Sequence, residues 1–92
     1  ENFNIYGMHS TSVGTTWTLA ASPAANVYTH QFCITNCDSS PSWTALTTSP
    51  ATLISSVSVG STQWFDLQLR TPSSTTGYDE QVVNVTVQAV AP

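Results

Sequence analysis

The chain has no lysine, and its only arginine is Arg70. A single cation cannot neutralise a nucleic-acid backbone. It cannot hold an anionic membrane surface through a basic patch, nor clamp phosphates as Lys and Arg do in phosphoryl transfer. Without lysine there is also no Schiff-base chemistry and no Lys–Asn isopeptide cross-link. Charge of either sign is scarce: 7% of residues are charged, against about 25% in ordinary domains. The five acids, Glu1, Asp38, Asp66, Asp79 and Glu80, set a net charge of −4, and only the last two are neighbours. No apolar run approaches the roughly 18 residues that span a bilayer, so membrane insertion is not expected. No segment carries an apolar period of 3.6 residues, and good helix formers are few.

What the sequence has in quantity is hydroxyl groups: 13 Ser and 15 Thr in 92 residues. Solubility rests on hydroxyls and amides, which suits an extracellular or cell-surface protein covered by glycans or by close packing of neighbours. A chain of this length makes one domain, residues 1–92, with a small core.

The patterning is β throughout. β-branched and aromatic residues alternate with polar ones, and Gly, Pro, Asn and Ser interrupt them. The clearest strand is 81–90, with Val83, Val85, Val87 and Ala89 on the inward face. The segment 62–70 places Phe65, Leu67 and Leu69 inward and Trp64, Asp66, Gln68 and Arg70 outward. The segment 27–35 aligns Tyr28, His30, Phe32 and Ile34. Shorter strands are expected at 3–8, 15–20, 42–47 and 52–59, with Trp43 as the core tryptophan. Turn residues at Ser22-Pro23, Asn36–Pro41, Ser49-Pro50, Gly60-Ser61 and Thr71–Gly77 separate them. Seven short strands in this length predict an all-β fold, an antiparallel immunoglobulin-like sandwich.

From Phe32 onward the order of motifs is F-x-I-T-N, S-W-T-A-L, S-V-S-V-G-S-T-Q-W-F-D-L-Q-L, T-P-S-S-T-T-G-Y and Q-V-V-N-V-T-V-Q-A-V. This order resembles the immunoglobulin-like modules of prokaryotic surface and secreted proteins, of the CARDB or alpha-galactosidase-associated kind. The resemblance covers about the last two-thirds of the chain. It implies a surface or secreted location and carries over no catalytic residue.

Cys33 and Cys37 are the only cysteines. An even count in a short, exported-looking chain predicts a disulfide. Four residues of straight strand would hold the sulfurs roughly 13 Å apart, so the bridge requires the strand to end and fold back near Asn36. Cys33, Cys37, His9 and His30 match no usual zinc spacing, so neither a metal nor another cofactor is expected. His30 reads as a satisfied polar residue on a strand face. Asp79 and Glu80 point apart and do not form the acid pair that glycoside hydrolysis needs. No serine or cysteine sits in a nucleophile elbow. The chain is therefore read as a non-enzyme.

Three features point to interaction instead. Trp64 faces outward if Leu67 and Leu69 face inward, and an outward Trp marks an interface or a sugar platform. Asn84-Val85-Thr86 is an N-x-[ST] sequon, with Asn84 on the polar face and open to glycosylation. Phe3 and Ile5 share a face of segment 1–8, which reads as either an ordinary first strand or a strand exchanged with a neighbour. Together these features favour a structural subunit of a cell-surface filament or pilus built by β-strand addition. Its partners would be copies of itself or neighbouring surface modules. The alternative is a carbohydrate-binding or adhesive module of a larger secreted protein, with glycans as its partners.

Overall fold

The computed structural model describes residues 1–91. They form seven strands and no helix: β1 (Asn2–Gly7), β2 (Thr18–Leu19), β3 (Val27–Cys33), β4 (Thr44–Ala45), β5 (Ala51–Ile54), β6 (Asp66–Arg70) and β7 (Val85–Val90). Two sheets stack as a sandwich. One has the order β5-β1-β7, antiparallel throughout. The other is centred on β3, which pairs antiparallel with β6 and β4 and parallel with β2. Ala20 N–H donates to the Tyr28 carbonyl and Leu46 N–H to the His30 carbonyl. Carbonyls two residues apart point the same way along a strand, so β2 and β4 share one edge of β3 in succession. β6 holds the other edge.

All seven expected strands form, and most are shorter than the alternation predicts, because a strand extends only as far as its partner. The last pair of the β3–β6 ladder is Cys33↔Asp66. Beyond it β3 turns away, so residues 62–65 have no ladder to join. β7 begins opposite Gly7, where β1 ends. β5 stops before Ser56, whose φ of 58° breaks the extended run. Between β1 and β5 the register shifts from Phe3↔Ile54 to Asn4↔Thr52. Leu53 is thus the extra residue of a bulge, and its side chain enters the core.

Segment 1–8 is an ordinary first strand in this fold. β1 lies at the centre of its own sheet, paired on both edges. Ile5 is fully buried in the core with Leu19, Tyr28, Phe32, Leu46 and Leu53, and Phe3 packs half-buried against that cluster. The reading of Ile5 as a contact with a neighbouring copy is therefore corrected: its partners belong to the same chain. Gly7 closes the strand against Leu19: a Cβ there would lie 2.9 Å from Leu19 Cδ2, so a larger residue requires that side chain to shift.

The central aromatic of the core is Tyr28, not Trp43. Tyr28 packs against Trp17 at 6.3 Å and His30 at 6.4 Å between ring centroids, and its hydroxyl donates to the Met8 carbonyl. Trp43 is half-buried at the approach to the two-residue β4, outside the core cluster. Ile34 lies beyond the end of β3 and is exposed.

Candidate functional site

The inward faces follow from register. Phe32 stands opposite Leu67 and His30 opposite Leu69. Ile5 stands opposite Val87 and Phe3 opposite Ala89. Side chains paired across a ladder share a face, so Leu67, Leu69, Val87 and Ala89 all have the core-facing parity that alternation predicts. They are nevertheless uncovered: Leu67 is 42%, Leu69 46% and Val87 42% exposed, and Ala89 is exposed as well. On the opposite side Leu19, Leu46 and Leu53 are buried. The sandwich is filled beside β2, β4 and β5 and open beside β6 and β7. The overall dimensions agree. The radius of gyration is 14.7 Å, where a compact chain of this length has about 12 Å. The accessible surface is 5719 Å², roughly 500 Å² above the trend for folded monomers of this mass.

A cleft of about 420 Å³ opens into the sandwich between these sheets. Phe3, Leu53, Ile54, Phe65 and Val87 line it beneath the 57–63 loop. β7 borders the open side with the sequence Val-Thr-Val-Gln-Ala-Val. Among the described residues it pairs only with β1. It has no charge, Pro, Gly or bulge, the devices that normally blunt a free edge. β6 is the other edge on the open side and carries Asp66 and the lone cation, Arg70.

The opposite end of the molecule is closed by polar clamps. Ser10 Oγ accepts from Trp17 N–H at 2.7 Å and donates to Gln81 Oε1 at 2.6 Å, and Gln81 Nε2 donates to the Thr15 carbonyl. Asn26 Oδ1 accepts from Thr75 Oγ1 and Thr76 N–H, tying the 71–77 loop to the start of β3. Asp79 and Glu80 lie exposed beside this region. His9 Nδ1 accepts from Leu19 N–H at 3.0 Å, which makes His9 a structural link between β1 and β2.

His30 departs from expectation. It is buried, yet its Nδ1 has no hydrogen-bond partner. Burial lowers its pKa below the ordinary 6.5. The unfolded chain therefore takes up this proton near pH 6.5, while the folded chain resists until lower pH. Its contribution to stability is intact above 6.5 and is lost as pH falls through the lowered folded value. The thermal midpoint should drop between about pH 7.5 and 5.5. His30→Leu should recover a good part of that drop; an equal drop in both proteins would rule His30 out as its source.

Cys33 and Cys37 are bonded to each other, with 5.9 Å between Cα atoms. Asn36, at φ 54°, turns the chain back as the bridge requires. With both sulfurs oxidised, neither is free to ligate a metal as thiolate. Asn84 is exposed immediately before β7. Trp64 is 82% exposed, and it stands beside the disulfide turn rather than with Phe3 and Ile5. Alternation found Leu67, Leu69 and Val87 but took them for covered core. It contains no signal for what lies above a face. No protein-family model, curated protein or solved structure matches the chain.

Proposed function

We propose that the protein is a non-catalytic structural module of the extracellular or cell-surface space, which assembles with further copies of itself by β-strand addition. The observation that carries this reading is the open side of the sandwich. There an unprotected six-residue edge strand, β7, borders core-parity side chains that the chain itself leaves uncovered. A strand is the occupant that suits this site, because it satisfies the free backbone groups of an edge while its alternate side chains fill the cleft. The excess surface of roughly 500 Å² approaches the ~800 Å² that each partner buries in a stable interface. A second copy is the favoured source, since β7 is itself an uncharged, strongly β-prone segment able to pair edge to edge. The near absence of charge leaves little repulsion to oppose such contact.

The same chemistry supports that location. The disulfide fits an oxidising compartment, and no helix of the described residues is long and apolar enough to cross a membrane. Asn84 is open to a glycan at the foot of β7.

The test places lysine at two of the uncovered positions, Leu69→Lys with Val87→Lys. Native protein should give oligomers or filaments by light scattering and electron microscopy. The double variant should remain monomeric, with its thermal midpoint nearly unchanged because both side chains are already half in water. A native protein that is monomeric at high concentration, or a variant that assembles equally well, would overturn the proposal.

A further inference from the structure

Trp64 plays no part in the open side, and its indole is too exposed to contribute to the core. It lines a separate shallow concavity of about 320 Å³ with Asn36, Asp38, Ser39 and Asp66 as its polar members. We propose that this concavity is a carbohydrate subsite for non-acidic hexopyranose units, with Trp64 as the stacking platform.

A pyranose ring has an apolar face of C–H groups and a rim of hydroxyls. It is held by an aromatic plane under the face and a few polar groups at the rim, the composition expected of a small-molecule site. Trp64 supplies the plane. The Asn36 amide, the Ser39 hydroxyl and the Asp38 and Asp66 carboxylates supply donors and acceptors. Among the described residues none of these four side chains is engaged in a hydrogen bond within the chain, so their full capacity faces the concavity.

The Cys33–Cys37 bridge closes the turn that carries Asn36, Asp38 and Ser39. Within that turn Ser39 and Ser40 N–H both donate to the Asn36 carbonyl. Asp66 is held across the ladder from Cys33, two residues from Trp64. The rim is thus fixed by one disulfide and one strand pair, and Trp64 joins it two residues before that ladder begins. A rim ordered in this way loses little conformational entropy on binding. This gives the short disulfide loop a purpose beyond global stability, to which so small a loop contributes only about 2 kcal/mol.

Charge sets the class of sugar. Two carboxylates flank the platform, and Arg70 is at the far end of β6 from it. Uronic, sulfated and sialylated chains would meet like charge with no cation to offset it. Neutral hexoses and N-acetylhexosamines meet no such opposition. No third His, Cys, Asp or Glu joins the two acids among the described residues.

The test is a titration of the intact protein with neutral oligosaccharides of glucose, mannose, galactose and N-acetylglucosamine, and with oligogalacturonate. The readout is the indole N–H resonance of Trp64, assigned by its loss in Trp64→Ala. At least one neutral oligosaccharide should shift that resonance. Trp64→Ala should weaken its binding about tenfold or more, equivalent to ~1.4 kcal/mol. Asp66→Asn with Asn36→Gly, which removes the amide and keeps the left-handed backbone, should weaken it severalfold. Each variant should keep the native thermal midpoint and the native oligomeric state, which separates this site from the open side. A Trp64 resonance indifferent to every neutral oligosaccharide, binding that survives Trp64→Ala, or equal affinity for oligogalacturonate would overturn the proposal.

Discussion

Removal of residues 1–8 should leave an unfolded chain, not an acceptor waiting for a strand. β1 is the middle strand of its sheet, and without it β5 and β7 lose their only shared partner. The deletion also strips Ile5 from the core and breaks the pairing of Glu1 with Val57, whose backbone N–H donates to the Glu1 carbonyl at 2.8 Å. Ile5→Ala alone should cost about 2–5 kcal/mol, a large share of the ~5–15 kcal/mol that holds a typical domain. Circular dichroism and a one-dimensional proton spectrum of the truncated chain would show the loss. A truncated protein that stays folded and binds a synthetic peptide of residues 1–8 would instead make β1 the exchanged strand. It would also move the assembly site away from β6 and β7.

Tyr28→Ala should be nearly as damaging, and Tyr28→Phe separates the reasons. The ring is fully buried, touches Trp17 and His30, and is among the largest fully buried side chains. Replacing it with Ala opens a cavity in a small core, at about 3–5 kcal/mol for an aromatic. Phe keeps the packing and removes only the hydroxyl that donates to the Met8 carbonyl at 2.5 Å. That change should cost about 1–3 kcal/mol, because an acceptor in a partly buried site is left without its donor. Urea denaturation of the three proteins would check the order. A Phe variant as unstable as the Ala variant would show that the hydroxyl bond, rather than ring packing, holds β3 to the chain after β1.

Much of the candidate site was legible as parity. Phe65, Leu67, Leu69, Val85 and Val87 were all recognisable as facing inward, because a period of two survives in any sheet. Their exposure was not legible, since a strand's sequence records its own two faces and not the presence of a neighbour above one of them. The polar rim of the Trp64 concavity was hidden for a related reason. Asn36 and Asp38 read as turn formers, which they are. Only the β3–β6 register brings Asp66 to the same place from about thirty residues away. The His30 environment was misread because local sequence gives no count of hydrogen-bond partners.

The sequence by itself determined the all-β class, the seven strands in order, the disulfide between Cys33 and Cys37 and the outward Trp64. Each rests on local rules: alternation, turn residues and the short reach between two cysteines in one turn. Tertiary structure alone decided that β1 lies between β5 and β7, that Tyr28 rather than Trp43 centres the core, and that the sandwich is open beside β6 and β7. These depend on which strands are neighbours, and strand pairing is a contest among distant segments with similar β propensity. It is settled by total burial and ladder length, quantities that no single stretch of this chain contains.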